Sequence, residues 1–236
     1  MTAATVTELR ECEPRILDTR NSTVRTTLDA ASGCPRLVQR VLEVEASTRL
    51  AGSVSGAGEL WFVVRGKARL KLKGRYVLLQ PGVGVLVLSG HFEIEVDGDD
   101  RLELAVVVLP LGAQGMPSDT VASLLDECEA ETTGDRQFRV LIGSVQGCDA
   151  ATQFVGDIPP GRAPVHEHTY DEVVLVLSGV GIVHLEEGDR TLGPGTCLYL
   201  PPGSPHCLEN TGRKTMRVLG VFHPGGSPAA KKGGLR

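Results

Sequence analysis

Four of the six histidines in this 236-residue chain lie between Pro160 and Asn210, in the run PGRAPVHEHTYDEVVLVLSG, VGIVHLEEGDRTLGP and GTCLYLPPGSPHCLEN. His166 and His168 are two apart, and residues i and i+2 of a strand point to the same face, so both imidazoles enter one space. Glu172 keeps that parity. Thr169, Tyr170 and Asp171 can turn the chain before VVLVLSG starts a strand that carries the carboxylate back toward the rings. His206 follows Pro201, Pro202, Gly203 and Pro205, a cluster that belongs at a bend between strands. Beyond it His206, Leu208 and Asn210 alternate with Cys207 and Glu209, so His206 faces inward while Cys207 faces away. Three neutral imidazoles and one carboxylate suit a first-row divalent ion and leave coordination positions open if the ion is six-coordinate.

An HxH pair by itself is a weak motif; the Gly and Pro frame around this one is what gives it weight. Gly161, His166, His168, Glu172 and Gly179 match the first motif of the cupin superfamily, and Gly195, Pro201, Gly203, His206 and Asn210 match its second. The stretch resembles that superfamily, with one departure: four residues separate Gly161 from His166 where the family pattern has five. The resemblance implies an all-β chain of double-stranded β-helix, jelly-roll-like barrels, with a divalent transition metal held by His166, His168, Glu172 and His206. Iron(II) is the metal most often associated with such an arrangement, and manganese, nickel or zinc fit the same donors. A metal-free barrel using these side chains for proton transfer is the alternative.

The elements that would position these residues occur twice. A shift of 113 carries Glu59 to Glu172, Gly66 to Gly179, Leu79 to Leu192, Pro81 to Pro194, Gly82 to Gly195 and Gly90 to Gly203 without a gap. The same shift sets Ser53 and Ser55 against His166 and His168, and Glu93 against His206. The first copy therefore keeps the frame and loses every imidazole, so it reads as structural, with Glu59 and Glu93 as hydrated carboxylates. The chain divides into an N-terminal arm or edge strand (1–36), a degenerate barrel (37–111), a linker (112–135), a metal-binding barrel (136–224) and a flexible tail (225–236) in which Lys231 and Lys232 are solvated. In the linker Val121, Leu124, Leu125 and Cys128 have the spacing of one face of a short helix.

Other residues near the candidate site invite a role. Tyr170 and Tyr199 could each present a hydroxyl to a ligand, although packing tyrosines are commoner. His184 has the parity of an inward position and is a candidate proton acceptor beside Glu172, or equally a core or rim histidine. Arg162 could meet an anionic substrate at the barrel mouth, and Asn210 could orient a ligand or tie strands together.

Hydrophobic residues make up 41% of the chain and the net charge is −5. The first is enough for buried cores, and the second argues against a nucleic-acid surface. No run reaches membrane-spanning length, no basic flank precedes an apolar N-terminal core, and the six cysteines form no CxxC pair. Reduced thiols in a soluble, cytoplasmic protein are expected. Exposed sandwich faces leave a homodimer open. The expected activity is that of a metal-dependent oxidoreductase, dioxygenase-like, on a small oxygen-bearing metabolite. The alternatives are an isomerase, decarboxylase or lyase using the same ion, and a binding barrel without catalysis.

Overall fold

The computed structural model describes residues 3–17 and 21–229; Lys231 and Lys232, expected to be solvated, lie outside the described residues. Among them the chain is almost entirely β, built as two barrels of two sheets each. The N-terminal barrel faces a seven-stranded sheet, in the order Val121–Leu124, Val83–Val87, Glu59–Arg65, Leu102–Val108, Val38–Val44, Ser22–Leu28 and Arg15–Ile16, against a four-stranded one. The C-terminal barrel repeats this with Thr5–Glu8, Thr196–Leu200, Asp171–Ser178, Met216–His223, Thr152–Ile158, Arg136–Ile142 and Glu131–Thr133. Its four-stranded sheet is Gly161–Arg162, His206–Asn210, Gly181–Leu185 and Arg190–Leu192.

The long sheets are buried on both faces, which is why their central strands read as continuous apolar runs rather than alternating ones. In Glu59–Arg65, Trp61 and Val63 enter the N-terminal barrel, while Leu60 and Phe62 join the core between the barrels. In Asp171–Ser178, Val174 and Val176 enter the C-terminal barrel while Val173 and Leu175 face the other. Glu172 shares the parity of Val174, so the strand that seals the inter-barrel core also turns this carboxylate inward.

Each long sheet ends on a strand taken from the other half of the chain. Thr5–Glu8 pairs antiparallel with Thr196–Leu200, and Val121–Leu124 pairs with Val83–Val87. The exchange is reciprocal down to its details. Leu9–Glu11 and Leu125–Glu127 are matching 3-10 turns. The N–H of Leu9 donates to Gly195 O at 2.9 Å, and that of Leu125 donates to Gly82 O at 3.0 Å. The thiols of Cys12 and Cys128 donate to Glu8 O and Leu124 O, both at 3.4 Å.

The linker thus departs from the helical spacing of its sequence. Val121–Leu124 is a strand, and only Leu125–Glu127 is helical. A sheet edge that would otherwise stand unpaired captures the segment. Residues 1–36 likewise supply one strand to the far barrel and two, Arg15–Ile16 and Ser22–Leu28, to the near one.

Two glycines show why the frame recurs at a fixed shift. Gly66 and Gly179 have φ of 84° and 89°, a region that favours glycine. A Cβ there would come within 2.3 Å of Arg101 O and 2.6 Å of Met216 Cα, respectively.

Candidate metal centre

His166 and His206 form an isolated antiparallel bridge, with N–H to O distances of 3.0 and 2.9 Å in the two directions. Gly203 N–H donates to His168 O at 2.7 Å. The two motif segments are therefore clipped together through their backbones, and that clip brings the rings together. Ring centroids stand 4.5 Å apart for His166 and His206, 4.9 Å for His166 and His168, and 5.3 Å for His168 and His206. One nitrogen from each ring lies within 4.8 Å of the others. Glu172 joins them, its Oε2 being 3.4 Å from His168 Nε2 and 3.8 Å from His206 Nε2.

Backbone carbonyls set the rings. Ser204 O lies 2.9 Å from His206 Nδ1 and Pro164 O lies 3.2 Å from His166 Nδ1. A proton on each Nδ1 satisfies those carbonyls and leaves each Nε2 lone pair free, the tautomer a ligand needs. His168 is held by stacking: Tyr170 lies parallel to it at 4.8 Å, and Phe222 lies at 5.4 Å.

Burial dominates the electrostatics. It pushes the Glu172 carboxyl up to about 8. It also lowers His168 to about 3, assisted by His206 and His166, and lowers His206 to about 4, assisted by His166. Both shifts favour neutral forms, so without a cation the Glu172 and His168 contact joins neutral groups rather than an ion pair. Glu172 Oε2 and His168 Nδ1 are buried with no hydrogen-bond partner. Buried polar atoms are seldom left so, and a cation would restore the charge that Glu172 loses to burial. His166, His168 and His206 could hold a metal ion, with Glu172 as a fourth donor.

These residues open onto a cavity of about 810 Å³, a volume typical of small-molecule sites. Phe138, Phe154, Phe222 and Val218 form its apolar wall, and Arg136 reaches into it from the start of Arg136–Ile142.

The other candidates take different places. His184 lies opposite Cys207 rather than His206 in the ladder and so faces away from the cavity. Its two nitrogens are each 2.8 Å from a carboxylate, Asp189 and Glu209, which makes it a rim histidine and not a proton acceptor at this site. Tyr170 donates its hydroxyl to Ser227 O at 3.1 Å, so it offers the site its ring face alone. Tyr199 pairs with Val173 across the ladder and thus faces the inter-barrel core, donating to Asp171 Oδ1 at 2.7 Å; Arg36 meets Asp171 Oδ2 at 2.7 Å. Arg162 is exposed and does not line the cavity. Asn210 ties strands, donating to Ile158 O and Lys214 O at 2.8 Å each.

Arg136 is the cavity residue that the motif reading misses, because it precedes both motifs. Its signal is parity with the buried Phe138 just after the Gly134–Asp135 turn.

Among the described residues the N-terminal barrel presents no such site. Its interior is filled by Trp61, Leu70 and Ile94. Trp61 donates to Glu59 at 2.7 Å and meets Phe92 edge-on at 5.0 Å. Glu93 is exposed and pairs with Lys71 at 3.2 Å.

Residues 154–222 match the cupin domain family model. Over 69 residues the chain is 30% identical to an uncharacterized protein of Methanocaldococcus jannaschii, covering 28% of this chain and 55% of that one. The chain thus spans about half the length of this curated relative.

Among solved structures, Ylba from E. coli has a TM-score of 0.78 at 12% identity, covering 94% of this chain and 91% of that one. A putative glyoxylate induced protein from Pseudomonas aeruginosa has 0.77 at 16%, over 94% and 89%. A Bacillus subtilis oxalate decarboxylase variant has 0.75 at 13%, over 94% and 78%. At these identities the likeness is one of fold.

Proposed function

We propose, taking as premise that residues 154–222 form a cupin domain and that the whole chain has the fold of the cupin superfamily, that this protein is a metal-dependent oxidoreductase working in its C-terminal barrel. The observation that carries the proposal is the convergence of three imidazoles, two set by carbonyls and one by stacking, beside a buried carboxylate oxygen that has no hydrogen-bond partner. His166, His168, Glu172 and His206 would hold the ion. When bound, a redox-active metal, iron(II) in this reading, supplies Lewis acidity and an electron path between an organic substrate and dioxygen.

The chain's own residues do the rest. The Pro164 and Ser204 carbonyls fix two rings, Tyr170 and Phe222 fix the third, and the aromatic wall keeps water from the reacting face. Without the ion Glu172 holds a proton, which it would give up as Oε2 becomes a ligand. The proposed substrate is a small oxygen-bearing metabolite, and the proposed setting is the cytoplasm, where the six free thiols stay reduced.

A second reading keeps the ion as a Lewis acid for decarboxylation or related lyase chemistry. It is favoured by a fold shared with an oxalate decarboxylase across 94% of this chain.

Elemental analysis of protein purified without added metal, beside a His166→Ala, His206→Ala variant, tests the centre. Iron in the wild type, its loss in the variant and oxygen uptake during turnover support the oxidative reading. Turnover without oxygen uptake favours the second reading, and equal metal in both proteins removes these histidines from the account.

A further inference from the structure

We infer that Arg136 is the anchor for a substrate monoanion, a carboxylate on an apolar body that lies along the aromatic wall with its other end at the histidines. This rests on the reading of the C-terminal cavity as a substrate site. Arg136 opens the strand Arg136–Ile142, directly after the turn at Gly134 and Asp135, and it lines the same cavity as His166, His168, Glu172 and His206.

One of its Nη2 hydrogens goes to Leu208 O in the strand that carries His206. That bond holds the guanidinium across the cavity, and it uses one of five N–H donors. Among the described residues no carboxylate lies within 4.0 Å of Arg136, whereas Arg25, Arg36, Arg49, Arg69, Arg75 and Arg217 all have one. A half-buried cation with no carboxylate in contact is costly; burial lowers the pKa of Arg136, and the neighbouring Asp135 offsets that only in part. The fork geometry of a guanidinium matches a carboxylate with two parallel hydrogen bonds.

The remainder of the cavity selects what the anion carries. Phe138, Phe154 and Phe222 present hydrophobic surface, which suits an apolar or aromatic body. Asp135 also lines the cavity, so a second negative charge on the ligand would meet like charge there. Among the described residues Arg136 is the one Arg or Lys that lines the cavity, so in the metal-free protein a monocarboxylate is favoured over a dicarboxylate.

Binding of benzoate, benzamide and phthalate to the metal-free and metal-loaded protein, followed by calorimetry, tests this. Benzoate is expected to bind both forms at least about tenfold more tightly than the neutral benzamide, and the metal-free form at least about tenfold more tightly than the dianionic phthalate. Arg136→Gln should remove the preference for benzoate over benzamide, and Arg136→Lys should retain part of it. Metal content and melting temperature, recorded for each variant, show whether the barrel and the centre are intact.

Equal binding of benzoate and benzamide by the wild type, tighter binding of phthalate by the metal-free protein, or an unchanged preference in a folded Arg136→Gln variant would overturn the assignment. The metal-free arm keeps the two readings apart. A wild type that takes up no metal yet prefers benzoate sinks the metal centre and leaves the anion anchor standing.

Discussion

At the scale of single residues, the protonation of Glu172 governs what the centre can do. In the metal-free protein its carboxyl sits at about 8 against an ordinary 4.5, so the folded state holds a proton that the unfolded chain has released. That contribution to stability is full below the ordinary value and is lost as the pH rises through about 8. His168 and His206, at about 3 and about 4 against 6.5, act in the opposite sense. Their contribution is full above 6.5 and is lost as the pH falls through 4 toward 3.

Melts of metal-free protein should therefore decline as the pH rises from 6.5 to about 8, and Glu172→Gln should flatten that limb. Because a ligand must shed its proton, the rise in melting temperature on adding a divalent metal should be larger at about pH 8 than at about pH 6. Tyr170→Phe makes a contrasting case. It loses one hydrogen bond to Ser227 O, at a cost of about 0.5–1.5 kcal/mol, and keeps the ring that stacks on His168, so metal content should not change. That three histidines and Glu172 come together was legible from parity combined with the Gly and Pro frame that carries the cupin resemblance. The true surroundings of His184, Tyr199 and Arg162 were not, because parity names a face of a strand without saying which space that face looks into.

At the scale of elements, the exchanged strands decide which half of the molecule each end stabilises. Removing residues 1–12 strips Thr196–Leu200 of its outer neighbour, takes Val6 from the C-terminal core and breaks the Thr196 hydroxyl bond to Glu8 at 2.8 Å. Hydrogen exchange after that deletion should quicken in Thr196–Leu200 more than in Val83–Val87; uniform quickening would show that the strand supports both barrels alike. The linker shows why such a segment misleads a reader of sequence. Val121, Leu124, Leu125 and Cys128 fit one helical face, yet the same residues set Leu124 against Val83 and send Leu125 into the inter-barrel core. Local spacing was satisfied by both conformations, and the available sheet edge selected between them.

At the scale of the whole molecule, the two barrels share a core. Leu60, Phe62 and Leu86 from one meet Val173, Leu175 and Tyr199 from the other, and Arg36 crosses to the buried Asp171. Residues 136–224 expressed alone would expose that face, an apolar patch of the kind that drives aggregation, so the fragment should be insoluble or bind hydrophobic dye. A soluble, cooperatively melting fragment would show that the C-terminal barrel closes unaided. The 113-residue shift revealed both barrels and the loss of imidazoles from the first. What it could not reveal was how tightly the halves interlock, since the strands that cross between them fall outside the repeated motifs.

That interlocking has a bearing on how the protein is made. The ribosome produces Thr5–Glu8 long before Thr196–Leu200, the strand with which it pairs. Throughout that interval the nascent chain trails an unclaimed edge that could recruit a stranger. Completion of the later barrel is thus also the moment at which Thr5–Glu8 is finally put out of reach.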